Sequence, residues 1–326
     1  MRVSRFFSKG LPYLITAVAV LGVLTGATSG PLRCLKVAVL PLLFLMIFPM
    51  AMGIRLEYLW HATVNLRLLS ASVVGNSVVS PLLGLLLTGL LLRDHPELAG
   101  GFLLLSTIPT GGMAAAWVGF ARGNVALILV MVALNLLLAI GAVPLLMGYL
   151  ARSYVAVDPL FILKKIALIV VIPLAAGNLT RRFLVHSLGE EAYRQRVRPL
   201  LPAFSSLGAL GIVFIATNLH ALAFLRRPAI LLQIVLPIVL FYLLLYLWVL
   251  IIDRSGYCRT YENEVALLYS LVTKNLTIAL ALALTSFGGL AVLMPAVAYP
   301  VQALAAAFFV HLAPRVLKVP RAALSP

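Results

Sequence analysis

The stretch from Val265 to Leu284 most constrains how this chain can fold, because it is a membrane-spanning length of apolar sequence with a lysine at its centre. It reads VALLYSLVTKNLTIALALAL, and Thr273, Lys274, Asn275 and Thr277 fall in its middle. A helix of about 20 apolar residues crosses a bilayer. Because a lysine at mid-membrane costs roughly 2.5–3.5 kcal/mol, Lys274 should face the protein interior or a wet cavity. It either serves a transport site or only pins helices together through backbone carbonyls.

Apolar runs of this length recur along the whole chain. The sequence is 63% hydrophobic and only 10% charged, whereas a soluble domain carries about 25% charged residues. The runs are too long for the strands of a transmembrane barrel, which alternate over about ten residues. We therefore predict an all-α polytopic membrane protein, one integral membrane domain over residues 1–326. Its predicted spans are residues 11–27, 32–54, 66–92, 98–120, 125–150, 159–179, 203–222, 228–252, 265–284 and 289–312.

Basic residues are distributed unevenly between the two sides of the predicted bundle. With the N-terminus inside, 16 of the 25 lysines and arginines fall on the side of the termini and 8 on the other. This bias predicts cytoplasmic N- and C-termini in the cell (inner) membrane. The placement of the basic residues beside the spans also explains the net charge of +16. The expected partner is therefore the lipid bilayer, and no nucleic acid is expected. The densest cluster, between Arg181 and Arg198, is either a topology anchor or a lipid or partner site.

The same cluster divides the predicted spans five and five. Residues 180–202 are predicted as a cytoplasmic linker, with a first repeat over residues 10–150 and a second over residues 159–312. An odd number of helices per half gives the halves opposite orientations, the inverted-repeat plan of many secondary transporters that work by alternating access. Pro109 in the fourth span and Thr273 in the ninth occupy corresponding places in the two halves.

A second interruption lies in the fourth span, which contains STIPTGGMAAAW from Ser106 to Trp117. Pro109 has no amide donor, and Gly111 and Gly112 are weak helix formers, so a helix should break here. The alternative is a proline kink used only for packing. Broken backbone at membrane depth is tolerated where protein buries it or where it lines a cavity. A half-helix amide end together with Lys274 would favour an anion.

Three stretches resemble one transporter superfamily. PTGGMAAAWVGFARGN, residues 109–124, and TKNLTIALALAL, residues 273–284, resemble the fourth- and ninth-helix signatures of the bile acid:sodium symporter superfamily. LFLMIFPMAMGIRLEYL, residues 43–59, looks like its arsenical-resistance (arsenite permease) branch. The resemblance implies ten helices, with a core domain whose fourth and ninth helices unwind and cross. A panel domain would move against that core.

This chain departs from the resembled pattern at the positions that carry the chemistry. The cysteine and glutamate of the arsenite permeases fall at Thr110 and Thr277. In the sodium symporters the ion ligands are mainly hydroxyl, amide and carboxylate oxygens. Their positions here are Ala114, Ala115, Ile128, Val132, Ser270 and Lys274. Because sodium needs several hard oxygen ligands, we predict sodium-independent transport, with the Lys274 ammonium in place of a sodium ion.

Lys274 is also the one ionisable residue that the sequence places deep in a span, since all nine acids fall in loops or at span ends. A buried lysine can release and regain a proton, so protons are a candidate coupled species. Asn76 in the third span, with Ser77 and Ser80, either lines the solute path or bonds helix to helix. The histidines and the two cysteines show no metal spacing, and no cofactor is expected.

These observations favour a secondary transporter of a small, anionic solute. The nine candidate site residues are Lys274, Thr273, Asn275, Thr277, Pro109, Thr110, Gly111, Gly112 and Asn76. The first alternative is an arsenite or antimonite efflux permease that uses Thr110 and its neighbours without a thiol. The second is a non-transporting membrane sensor, which is expected to carry an additional soluble domain. An enzyme is not expected, because the sequence has no nucleophile elbow, zinc-protease motif or phosphate loop.

Overall fold

Helices account for nearly all of the described chain, as the long apolar runs predict. The computed structural model describes residues 2–53, 65–154, 158–226, 229–254, 257–258, 260–287 and 289–317. Glu57, the end of the LFLMIFPMAMGIRLEYL stretch and the basic tail lie outside these residues. The helices are α1 Arg2–Thr28, α2 Val39–Gly53, α3 Leu66–Leu91, α4 Pro96–Thr107, α5 Ala114–Phe120, α6 Val125–Leu150, α7 159–188, α8 Glu190–Leu219, α9 Ala221–Arg226, α10 Ala229–Arg254, α11 Tyr261–Val272, α12 Leu276–Phe287 and α13 Leu293–Val316.

Polar side chains at the helix starts show why the apolar runs begin where they do. Asn124 accepts a hydrogen bond from the Leu127 amide at 2.9 Å, and Asp158 accepts one from the Leu160 amide at 2.9 Å. Such side chains replace the partner that the first amides of a helix lack. Asn65, Thr260 and Asn275 cap α3, α11 and α12 in the same way.

The long helices are suited to a membrane. Within the described residues, α3, α6, α8, α10 and residues Gly289–Pro314 are long and apolar enough to cross it, and three shorter apolar helices accompany them. The predicted fourth span is two helices, α4 and α5, and the ninth is α11 and α12. Both predicted interruptions are therefore confirmed.

The region predicted as a linker, residues 180–202, is more helical than its polar sequence suggests. Helix α7 continues to Leu188, and α8 begins at Glu190, so residues 180–202 lie in helical turns on either side of Gly189. Gly189 has φ +84°, a left-handed backbone conformation that glycine adopts at little steric cost because it has no Cβ. The Tyr193 hydroxyl donates to the Met52 carbonyl at 3.2 Å, which ties the start of α8 to α2.

The helices pack in two groups. In the first group α8 contacts α1, α2 and residues 172–188 of α7, and α2 also contacts those residues of α7. In the second group α3, α6, α10 and α13 contact the broken helices α4, α5, α11 and α12, and α1 packs against α13 between the groups. Gly22 and Gly26 of α1 face α8, where a Cβ on Gly26 would collide with the backbone of Asn218. The GxxxG pair of α1 therefore serves close helix contact. The Asn218 side chain secures that contact by donating to Thr25 Oγ1 at 3.0 Å.

Hydrogen bonds also join the two interrupted helices to neighbouring segments at both of their ends. On one side the Asn124 amide donates to the Glu262 carbonyl at 2.9 Å, and the side chains of Asn124 and Asn263 are 3.0 Å apart. On the other side the Leu290 amide donates to Glu97 Oε2 at 2.7 Å. These contacts hold α4, α5, α11 and α12 as one unit around their interruptions.

Candidate functional site

The two interruptions cross and pair through their backbones. Thr110 and Lys274 form an isolated antiparallel bridge. The Gly111 amide donates to the Thr273 carbonyl at 2.7 Å, and the Asn275 amide donates to the Pro109 carbonyl at 2.8 Å. Each break therefore satisfies backbone groups that the other exposes, which is what a membrane interior requires. We call these paired segments, residues 108–113 and 273–275, the crossover.

Gly111 is needed for this pairing and Gly112 is not. A Cβ on Gly111 would lie 2.9 Å from the Lys274 carbonyl oxygen and 3.2 Å from Asn275 Cα, whereas one on Gly112 would meet nothing within 4 Å. Only a glycine at position 111 lets the two backbones approach so closely. Gly112 is exposed at the rim of the crossover.

The Lys274 side chain lies inside the protein, as its position in an apolar span predicts. It is only 1% exposed. Its Nζ donates to Asn76 Oδ1 at 2.9 Å and lies 6.0 Å from the centre of the Phe241 ring. No carboxylate of the described residues lies within salt-bridge distance of this amine. An amide oxygen and an aromatic face are the groups that replace water around it.

The orientation of the Asn76 amide is set by its other bonds. Asn76 Nδ2 donates to the Ser72 carbonyl at 3.0 Å and to the Ser270 carbonyl at 2.9 Å. Because carbonyls only accept, the NH2 group must face them and the oxygen must face Lys274. Asn76 lies in a π-helical turn of α3, Gly75–Val79, a distortion that often occurs at functional sites.

A buried polar network surrounds this pair. Asn135 Nδ2 on α6 donates to Ser72 Oγ at 2.8 Å, and Ser72 Oγ donates to Ser270 Oγ at 3.0 Å. Thr110 Oγ1 donates to the Ser270 carbonyl. The network joins α3, α6, α11 and the crossover through groups that satisfy one another, so it specifies one arrangement of these elements.

The structure brings most of the predicted site residues together. The crossover contains six of them, and Asn76 contacts it. The six are Pro109, Thr110, Gly111, Thr273, Lys274 and Asn275. Asn275 caps α12 and its side chain reaches Met50 Sδ on α2 at 3.7 Å. Thr273 Oγ1 is buried without a hydrogen-bond partner among the described residues. Thr277, three residues after Lys274, bonds the Tyr299 hydroxyl on α13 at 3.1 Å.

Sequence reasoning missed three residues around Lys274, two that contact it and one that bonds the first of these. Gln302 on α13 binds its backbone at both the amide, at 2.7 Å, and the carbonyl, at 3.2 Å. Tyr242 donates to Gln302 at 2.7 Å, and Phe241 lies over the amine. A glutamine in an otherwise apolar span was the available signal for Gln302. The two aromatic residues carry no such signal in a chain rich in apolar residues.

Lys274 is not the only buried ionisable residue. Glu264 is 1% exposed and Arg181 is 7% exposed. Glu264 lies in the first turn of α11, so the prediction that it marks a span end is right. Its burial does not contradict the prediction that Lys274 alone lies deep in a span, because the packing of α11 against neighbouring helices also covers the start of that helix.

An apolar cavity lies beside the crossover. Its lining includes Ile108, Pro109, Ile140, Ile166, Ile278 and Leu282, from α6, α7, α12 and the crossover. The described residues contain no cluster of three or more His, Cys, Asp or Glu side chains that could hold a metal. The chemistry of the site is therefore that of one amine, amides, hydroxyls and an apolar wall.

Comparison with known proteins gives a consistent family. The model of the Sodium Bile acid symporter family matches residues 40–227. The chain is 23% identical over 307 residues to the arsenical-resistance protein Acr3 of Corynebacterium glutamicum, covering 87% of this chain and 81% of that protein. It is 26% identical over 256 residues to Acr3 of Alkaliphilus metalliredigens, covering 72% of this chain and 71% of that protein. A rice protein (Oryza sativa subsp. japonica) named "Probable sodium/metabolite cotransporter BASS1, chloroplastic" is 32% identical over 176 residues, 53% of this chain and 41% of that protein.

Proposed function

The chain belongs to the Sodium Bile acid symporter family and is a membrane transporter, and on this premise we propose that it carries a small, anionic solute without sodium, with Lys274 as a built-in cation. The observation that carries the proposal is the buried Lys274 amine bonded to the Asn76 amide oxygen. An amide oxygen is a ligand that a sodium ion would also use. A covalently attached ammonium in this position makes a dissociable cation unnecessary.

The anionic solute follows from electrostatics. The Lys274 ammonium has no carboxylate partner within salt-bridge distance among the described residues. A charge in a low-dielectric interior acts over longer distances than one in water. An anion that approaches the crossover is therefore stabilised relative to a cation.

The architecture of the proposed transporter is ten spans in two inverted halves, with cytoplasmic termini. The group formed by α1, α2, α8 and residues 172–188 would be the panel, and the helices around the crossover would be the core. Two features support this division: the packing into two groups and the fastening of the core at both ends. Alternating access would arise from movement of one group against the other.

Sodium independence is tested on the purified protein and in proteoliposomes. We expect the same thermal unfolding midpoint in NaCl, KCl and choline chloride of equal ionic strength. A sodium site filled at 100 times its Kd would instead add about 2.7 kcal/mol. The variant Ser270→Glu with Lys274→Gln restores oxygen ligands and should become sodium-responsive, while Lys165→Gln should not. A sodium-specific rise of the wild-type midpoint would contradict the proposal.

Proton linkage is tested in the same vesicles. Uptake of radiolabelled small organic and inorganic anions is measured with and without an imposed pH gradient. If the Lys274 amine exchanges a proton during the cycle, Lys274→Met should lose the response to the gradient. An unchanged response in Lys274→Met would remove the amine from the coupling step.

Arsenite or antimonite efflux is the second candidate function. It is supported by two relatives that are named arsenical-resistance proteins and align over 87% and 72% of this chain. The hydroxyl of Thr110 lies at the crossover, where a neutral trihydroxide could be bound by hydrogen bonds. Expression in a strain that lacks its own arsenite exporter separates the candidates: growth in arsenite supports efflux, and unchanged sensitivity supports another solute.

A further inference from the structure

The backbone of Lys274 is held on two edges, like the central strand of a small sheet. One edge is the bridge to Thr110 on the opposite segment of the crossover. The other edge is the side chain of Gln302 on α13. The Lys274 amide donates to Gln302 Oε1 at 2.7 Å, and Gln302 Nε2 donates to the Lys274 carbonyl at 3.2 Å. One glutamine amide thus takes the place of a neighbouring strand.

This pairing needs the chemistry of a glutamine. The Lys274 amide lies at a broken helix at membrane depth, where an unsatisfied backbone group is costly, and Gln302 is its acceptor. The Lys274 carbonyl accepts from the Leu276 amide at 2.9 Å as well as from Gln302. A carboxamide supplies a donor and an acceptor side by side. A methionine of similar length supplies neither, and a carboxylate supplies only the acceptor. Gln302 is 7% exposed, so water does not readily replace it.

Tyr242 sets the direction of the Gln302 amide. Its hydroxyl donates to Gln302 Oε1 at 2.7 Å. That oxygen therefore accepts from two donors, Tyr242 and the Lys274 amide, and the NH2 group must face the Lys274 carbonyl. The preceding residue, Phe241, lies over the Lys274 amine. Helix α10 thus contacts both the lysine side chain and the glutamine that holds the lysine backbone.

We propose that Gln302 and Tyr242 are positioning residues that hold the Lys274 peptide so that its amine lies between Asn76 and Phe241. This inference deepens the proposed function, because it rests on Lys274 as the built-in cation. If the peptide turned, the amine would leave the Asn76 oxygen, and the cation position would be lost although the lysine remained.

Two measurements on the purified full chain follow Lys274 directly, without a transported solute. The first is hydrogen–deuterium exchange of the Lys274 amide, resolved by fragmentation mass spectrometry. The second is reductive methylation of the Lys274 amine by formaldehyde and a borane. In Gln302→Met the amide should exchange about tenfold faster, the size expected for one lost hydrogen bond. Methylation of the enclosed amine should rise in parallel. Gln302→Glu keeps the acceptor and should restore most of the amide protection.

Matched substitutions separate positioning from general loosening. Gln233→Met changes a half-buried glutamine of α10, about 13 Å along the helix from Tyr242, and should leave both readouts unchanged. Tyr242→Phe should raise the exchange of the Lys274 amide, whereas Tyr246→Phe, one turn later, should not. If Gln302→Met fails to fold, the tyrosine pair provides the test.

The result that would overturn the inference is a folded Gln302→Met or Tyr242→Phe variant with wild-type exchange and methylation at Lys274. That outcome leaves the sodium independence of the wild type untouched. Conversely, a sodium-specific stabilisation of the wild type would overturn the proposed function while leaving the contacts of Gln302 as observed. The two failures are therefore distinguishable.

Discussion

At the scale of single residues, the site shows how a lysine is accommodated within a membrane bundle. Asn76 presents only its oxygen to the amine, because Ser72 and Ser270 carbonyls occupy its NH2 group. A buried donor that loses its acceptor costs about 1–3 kcal/mol, and more if it is charged. Removal of the Asn76 acceptor while the Lys274 amine remains should therefore lower the stability of the protein.

We expect Asn76→Leu to destabilise the protein by about 2 kcal/mol or more, because the Lys274 amine then has no acceptor. Asn178→Leu is the matched control, since the hydrogen bond of Asn178 among the described residues stays within its own helix, to the Leu174 carbonyl at 3.2 Å. Thermal unfolding followed by intrinsic fluorescence compares them. Equal losses of thermal stability in the two variants would show that the Asn76 contact contributes no more than a hydrogen bond within one helix.

At the scale of helices, close contact decides where small residues are required. Gly22 and Gly26 place α1 directly against α8, and Gly101 in α4 lies against the backbone of Ala291. Gly141 in α6 has nothing within 4 Å of its Cβ position. Glycines of similar sequence context therefore have opposite roles, which only the packing distinguishes.

Two alanine substitutions test this difference. We expect Gly26→Ala to cost about 1–3 kcal/mol, because the added methyl group collides with α8. Gly141→Ala should stabilise by about 0.5–1 kcal/mol, since alanine is the better helix former and space is free. Unfolding midpoints of both variants in one detergent are compared. A neutral Gly26→Ala would mean that α1 and α8 can separate without loss.

At the scale of the whole molecule, the crossover touches both groups of helices. The Asn275 side chain contacts Met50 of α2, outside the group that surrounds the crossover. The contact between Asn124 and Asn263 lies within that group. If the groups move against each other, the first contact should change during transport and the second should not.

Cross-linking provides the corresponding prediction. In a background with Cys34 and Cys258 replaced by alanine, a short bismaleimide, which forms a thioether with each of two cysteines, should stop vesicle uptake in Met50→Cys with Asn275→Cys. The same reagent should leave uptake intact in Asn124→Cys with Asn263→Cys. The solute is whichever anion the uptake screen identifies, and uncross-linked samples of each pair are the controls. Full uptake after cross-linking of the first pair would argue against relative movement there.

Much of the site could be read from the sequence because membranes penalise polar groups so strongly. A lysine among leucines and a proline-glycine pair within a span each predict an interruption that protein must enclose, and the structure has both. The crossover pairing of Thr110 with Lys274 agrees with the resemblance of the two motifs to helices that cross. Thr277 bonds the Tyr299 hydroxyl on α13, a partner that the sequence did not indicate.

The sequence by itself therefore determined the helical class, the two interruptions and the burial of Lys274, since each follows from local composition and the cost of polar groups in lipid. Only the tertiary structure decided which groups hold the amine and the backbone of Lys274. Asn76, Phe241 and Gln302 come from three helices far apart in sequence. Their contacts with Lys274 depend on how those helices pack, and local sequence does not encode which distant helices become neighbours.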